Sequence, residues 1–224
     1  MSAADDAAPT PPEAPPACPL CPRLVAYRQE NAAAHPDWFN RAVPSWGDRP
    51  EAVRLLVVGL APGVQGANRT GRPFTGDWAG DLLYATLLDQ GLASGTYERR
   101  PDDDLRLRGT MITNAVRCVP PQNKPTASEV NTCRSFLEAR IATLPNLRAL
   151  LCLGKISHDS TVRALGGRVA LHAFAHESAY ELDGPNGPLT LVSSYHCSRY
   201  NTNTGVLTEA MFASAVARAK AAGF

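Results

Sequence analysis

The chain has 224 residues, enough for one full-sized folded unit with a substantial core. Its 44% apolar content is that of a globular protein, and no apolar run is long enough to cross a bilayer as a helix. A net charge of +1 excludes a global basic field, so any contact with nucleic acid must come from a local patch.

Residues 1–17 are rich in Ala, Pro, Asp and Glu, with no basic start and no apolar h-region. They read as a disordered tail rather than a secretion signal, and residues 18–224 read as a single domain. Six cysteines without such a signal point to a cytoplasmic, reducing compartment, where metal or cluster ligation is favoured over disulfides. Residues 24–34 have the pattern of a short helix that His35-Pro36 ends. Aromatic and Pro-broken chain then leads to residues 53–58, Val-Arg-Leu-Leu-Val-Val, a buried parallel strand.

At Gly59 the apolar run gives way to the Gly-rich stretch GLAPGVQGANRTGRPFTGDWAG, residues 59–80. A strand that ends in such a loop and re-enters a helix is where open α/β sheets bind ligands. Asp77 stands at the N-cap of a helix over residues 79–91, and residues 94–108 read as a charged loop. Residues 109–116 form the second core strand, with Asn114 near its end and a polar loop from Arg117 to Lys124 after it. Thr126 and Glu129 have capping-box spacing for a helix to residue 143. A third buried strand over residues 147–154 and a helix near residues 157–165 follow. Strands are expected at 168–174 and 188–195, and a terminal helix at 208–222. The alternation gives an α/β fold, a three-layer α/β/α sandwich on a mainly parallel central sheet.

Several side chains can carry chemistry. Cys18 and Cys21 are two residues apart in spacing and Cys118 and Cys133 have fourteen residues between them, with prolines nearby. Four thiolates hold either tetrahedral zinc or a [4Fe–4S] cluster, and the wide second half suits a cluster better; a metal-free set is the third reading. Cys152 lies in an apolar strand and reads as a small buried hydrophobe. Asp77 is a helix cap, worth about 1 kcal/mol, or a carboxylate that orients water; the two are compatible. Asn114 is a turn former or an amide that reads the edge of a base, and Phe74 is core or a stacking surface. His196 lies in Ser193-Ser-Tyr-His-Cys-Ser-Arg-Tyr-Asn-Thr-Asn-Thr-Gly205, at a strand-to-loop junction among hydroxyls and Arg199. His172 and His176 are four apart, as in a helical zinc pair, yet the alternation around them suggests a strand.

GLAPG, NRTGRPFTGD, ITNAVRC and SYHCSRYNTNTG, together with the four spaced cysteines, resemble the uracil-DNA glycosylase superfamily, most nearly its type B (family 5) iron–sulfur branch. Related cluster-bearing branches carry an acidic residue where this chain has Ala61, which leaves Asp77 as the acid. Where His-Pro-Ser is common, this chain has His196-Cys197-Ser198. The resemblance implies hydrolysis of the N-glycosidic bond of uracil in DNA, extending to hypoxanthine, with xanthine and ethenocytosine as further candidates. It implies that Asp77 positions water, Asn114 reads the base edge, Phe74 stacks on the base and His196 donates to the leaving base. Backbone around Gly59, Ala61 and Gly63 would line the pocket. Ser198, Arg199 and Tyr200 would press into the duplex, with Arg117 and Lys124 near phosphates. Cys18, Cys21, Cys118 and Cys133 would hold a structural [4Fe–4S] cluster in a monomer, cytoplasmic and associated with the nucleoid through its substrate. A catalytically silent nucleic-acid-binding module of the same fold is the alternative. A phosphate-binding enzyme is a third, but the loop lacks the Gly-Lys-Ser/Thr ending of a P-loop.

Overall fold

In the computed structural model, which describes residues 11–224, the branched and leucine-rich runs pair side by side to form the sheet. The first half of the chain holds α1 (Pro22–Ala34), β1 (Trp46–Gly47), β2 (Leu55–Gly59), α2 (Ala67–Thr70), α3 (Trp78–Asp89), β3 (Ala93–Ser94), β4 (Arg106–Leu107) and β5 (Thr110–Asn114). The second half holds α4 (Ala127–Ala142), β6 (Ala149–Leu153), α5 (Lys155–Ala164), β7 (Ala179–Gly184), β8 (Gly187–Ser194), α6 (Arg199–Asn203) and α7 (Glu209–Gly223). The central sheet has the order β1-β5-β2-β6-β8-β7. Its four inner strands are parallel, and β1 and β7 run antiparallel at the edges.

Successive residues of β2 face opposite sides, and this separates the two halves of the core. Leu55 and Val57 pack with Leu83 and Leu87 of α3 and with Phe212 and Val216 of α7. Leu56 and Val58 pack with Leu137 and Ile141 of α4 and with Val162 of α5. The result is the expected three-layer α/β/α sandwich. Both halves of the capping box are formed at α4: the Glu129 N–H donates to Thr126 Oγ1 at 3.2 Å, and the Thr126 N–H donates to the Glu129 carboxylate at 2.7 Å. No helix among the described residues is long and apolar enough to cross a membrane.

Three sequence expectations change. Residues 168–174 are not a strand; they hold a 3₁₀ turn, Val169–Leu171, and the edge strand is β7. β7 returns into β8 across Pro185-Asn186, with Gly184 opposite Gly187. Residues 94–108 include β4 of a small two-stranded ribbon with β3, rather than loop throughout. The disordered tail expected to reach residue 17 is ordered from residue 11; residues 1–10 lie outside the described residues.

What orders residues 11–17 is buried charge. The Glu13 carboxylate takes Arg117 Nη1 at 2.8 Å and also pairs with Arg140. Ala14 is buried, and Arg28 donates to the carbonyls of Pro16 and Cys18 at 2.7 and 2.6 Å. These contacts lay the segment over a small third core in which Leu24 of α1 meets Val130 and Phe136 of α4. Arg117→Ala should lower unfolding free energy by about 2 kcal/mol in urea titration, because it removes one of the two guanidinium partners of a partly buried carboxylate. An unchanged urea midpoint would show that the pair does not hold this segment.

Candidate active site

The register that pairs β2 with β5 sets Gly59 opposite Asn114, and the pairing of β6 with β8 sets Leu153 opposite Ser194. The chain leaves β2, β5 and β8 on the same, carboxyl side of the sheet, which is where open α/β sheets hold ligands. Those three exits enclose a cavity of about 370 Å³. Ala61, Gly63, Phe74, Asp77, Asn114, His196, Ser198 and Arg199 all line it. The sequence therefore named most of the wall. It missed Trp78 and Asn123, which also line it. Trp78 directly follows the acid in the motif, a usable signal; Asn123 follows Gln122 in a turn where both adopt positive φ, which no spacing reveals.

Asp77 is both things the sequence allowed. Its side chain caps α3, accepting from the Gly80 N–H at 3.2 Å, while the carboxylate also faces the cavity. A Cβ at Gly66 would overlap that carboxylate, so this position needs glycine for close approach. Burial pushes the Asp77 pKa up, helped by the charge of Asp81 and opposed by backbone N–H groups of Gly80 and Ala79.

Asn114 is 3% exposed, and its Oδ1 has no hydrogen-bond partner among the described residues. An unpartnered buried acceptor costs about 1–3 kcal/mol unless a ligand satisfies it. A Cβ at Gly59 would overlap both this oxygen and the Phe74 ring. Phe74 has φ +53°, uncommon for an aromatic residue, and its ring lies 6.0 Å from that of His196 at 26°. Burial pushes the His196 pKa down to about 4, so its imidazole is neutral near pH 7. The buried Cys197 thiol lies 3.5 Å from the Ala79 carbonyl and docks this segment on the first turn of α3.

The cavity rim is aromatic and cationic. Trp78 donates to Thr202 Oγ1 at 3.1 Å, and the Arg199 guanidinium lies 5.7 Å from the Trp78 ring centre. Ser198 caps α6, Tyr200 is 73% exposed, and Lys124 is exposed beside Asn123. Arg117, expected near phosphates, is instead 1% exposed. It is committed to Glu13 and to Ser45 Oγ at 2.9 Å, so it has no free face for a phosphate.

Cys18, Cys21, Cys118 and Cys133 line one hollow with Leu24, Val116 and Phe136. All four are free thiols. Burial pushes the pKa of Cys118 up to about 12 and of Cys133 up to about 11. Among the described residues no three His, Cys, Asp or Glu side chains are grouped to hold a single metal ion. His172 and His176 do not form the zinc pair: His172 Nδ1 is 2.9 Å from the Arg168 carbonyl, and His176 stacks on Tyr195. A larger groove of about 890 Å³ runs between α3 and α7. It is lined by Asp81, Asp89 and Glu209, with Arg99 paired to Asp81, and by none of Phe74, Asp77, Asn114 or His196.

At the carboxyl side of the mainly parallel sheet, one cavity thus brings together a desolvated carboxylate, a buried amide with an unpartnered oxygen and a neutral imidazole. The profile of the uracil DNA glycosylase superfamily matches residues 46–220, and the chain belongs to that family. It is 46% identical to the type-5 uracil-DNA glycosylase of Thermus thermophilus, over 91% of this chain and 92% of the relative. It is 39% identical to that of Pyrobaculum aerophilum, over 91% and 88%, and 40% identical to that of Mycobacterium leprae, over 87% and 86%.

A carboxyl whose pKa rises on folding stabilises the fold below its unfolded value and loses that contribution as pH rises through the folded one. Asp77→Asn keeps a capping side chain and removes the buried charge. It should therefore melt higher than the unsubstituted protein at pH 7 by thermal scan, with the gap closing in acid. A lower melting temperature at pH 7 would contradict the desolvation of Asp77.

Proposed function

We propose that this chain is a monofunctional uracil-DNA glycosylase that hydrolyses the N-glycosidic bond of uracil, and also of hypoxanthine and xanthine, in DNA. The observation that carries this reading is one cavity shared by Asp77, Asn114, Phe74 and His196. The names of the relatives support the uracil activity, and the neutral first motif at Ala61 supports the wider range. The base is extruded from the duplex and enters the pocket, at least cost when mispaired. It stacks on Phe74 and gives an N–H to the unpartnered Asn114 Oδ1.

Breaking the C1′–N bond sends the electron pair onto the base and leaves positive charge on the sugar. The Asp77 carboxylate faces that charge, orients the water that adds to C1′ and receives its proton. His196, neutral by desolvation, donates a hydrogen bond to the developing base anion without giving up the proton. The products are an abasic sugar and the free base, the base anion taking a proton from solvent as Asp77 returns to solvent the one it received. Ser198, Arg199 and Tyr200 fill the space the nucleotide vacates, and Lys124 meets a phosphate. The enzyme acts as a monomer, in the cytoplasm where its DNA substrate lies.

The donor set suits a [4Fe–4S] cluster: four free thiols line one hollow with Leu24, Val116 and Phe136. A cluster held there by Cys18, Cys21, Cys118 and Cys133 would cross-link the chain before α1, the chain after β5 and α4, as a structural rather than a redox group. Arg28 and the Arg117 backbone N–H, 3.3 Å from Cys133 Sγ, are positioned to offset thiolate charge.

Asn114→Ala and Asp77→Ala should each slow release of free uracil from duplex DNA by about 10²-fold or more, with circular dichroism unchanged. Unchanged rates would remove these residues from the reaction. Unsubstituted protein that binds duplexes carrying uracil, hypoxanthine or xanthine yet frees no base would instead be the silent binding module. Anaerobically purified protein should contain about four irons and four labile sulfides per chain, lost in Cys118→Ser.

A further inference from the structure

The charged segment between α3 and β5 has no part in the reaction just described, yet its side chains close around the backbone that carries Phe74. Arg72 is 3% exposed and Asp103 4% exposed. They form a two-pronged ion pair at 2.6 and 2.8 Å, and Arg72 Nε donates to Thr75 Oγ1 at 2.7 Å. The guanidinium is enclosed by the rings of Trp46, Tyr84 and Tyr97, at 4.7, 5.6 and 5.8 Å from their centres.

Around this cage the carbonyls from Arg72 to Gly76 are each held by a side chain. Tyr84 donates to Pro73 O at 2.6 Å and Tyr97 to Phe74 O at 3.2 Å. Thr70 Oγ1 serves Arg72 O and Thr75 O at 3.3 and 3.0 Å, and Arg69 serves Gly76 O at 3.4 Å. The Tyr97 hydroxyl also accepts from the Gly76 N–H at 3.1 Å, so it joins Phe74 to the residue just before Asp77. A bulky residue at positive φ costs about 1–3 kcal/mol and persists only where its surroundings over-determine it. Here the surroundings are the Asp103–Arg72 pair and Tyr97.

We propose that Tyr97, Arg72 and Asp103 are positioning residues, which hold the Phe74 ring and the Asp77 carboxylate at a fixed spacing across the base pocket. The proposal rests on the glycosylase reading. Without the clamp, Phe74 relaxes towards ordinary φ, its ring leaves the base plane, and stabilisation of the departing anion weakens. Misplacement of this kind costs rate rather than affinity, because most DNA contacts lie on the rim.

The test is single-turnover base release by Tyr97→Phe, which keeps the ring over Arg72 and removes only the bridging hydroxyl. Duplexes carry uracil or 5-fluorouracil, the latter leaving more readily as an anion. Ile141→Val in α4, on the far face of the sheet, controls for stability alone. Tyr97→Phe should release uracil roughly ten-fold more slowly, lose less with 5-fluorouracil, and bind duplex unchanged. Ile141→Val should keep the full rate. Asp103→Asn, which weakens the same clamp from its other end, should show the same leaving-group pattern and decides the matter if Tyr97→Phe does not fold. A Tyr97→Phe rate within about two-fold of the unsubstituted protein overturns the proposal, as does an equal loss for both bases or an equal loss in Ile141→Val. Failure of the unsubstituted protein to release either base overturns the glycosylase reading instead.

Discussion

Gly59, Asn114 and Phe74 meet in a space with no room for one more methyl group. That contact exists because β2 and β5 are parallel neighbours in the register that sets Gly59 beside Asn114. It keeps the strand end flush with Phe74 and Asn114, which form the floor of the cavity, while Gly59 itself, expected to line it, lies behind them. A larger residue at position 59 would push the ring and the amide apart together. The rest of the site is built outward from this floor: the Gly-rich loop forms one wall, the chain after β8 another.

The pocket moves two ionisable groups in opposite directions for one cause. Desolvation raises the Asp77 pKa and lowers that of His196 to about 4. Near neutral pH this gives a carboxylate that is a stronger base than in water and an imidazole that donates without carrying charge. The two values approach each other because burial disfavours the charged form of each group. In the proposed reaction the carboxylate would face the cationic sugar and the imidazole the anionic base, so the two charges created together would meet different partners.

What the sequence made legible was local. Asp77 could be placed because capping needs only the next three residues, and Thr126 with Glu129 for the same reason. Asn114 and Gly59 could be placed because strand ends follow from where apolar runs stop. Arg117 could not: its partner Glu13 lies 104 residues away in the chain, in a segment whose composition resembles a tail. The alternation Val169-Ala-Leu-His-Ala-Phe174 imitates a strand, but among the described residues no strand pairs with it. The real edge strand announces itself by its turn, Gly184-Pro-Asn-Gly187, a hairpin signal stronger than the alternation. The charged residues 94–108 look like solvent-exposed loop because the cage that buries Asp103 is assembled from Trp46, Arg72 and Tyr84, all distant in sequence.

In the proposed reaction an extruded base occupies the cavity at the ends of β2, β5 and β8. The most direct measurement is a structure of the protein with duplex DNA containing 2′-fluoro-2′-deoxyuridine, whose fluorine disfavours the cationic sugar and keeps the bond intact. The account predicts uracil stacked on Phe74, its edge on Asn114 and C1′ facing Asp77. Uracil still paired in the helix, or seated in the acidic groove between α3 and α7, would contradict it.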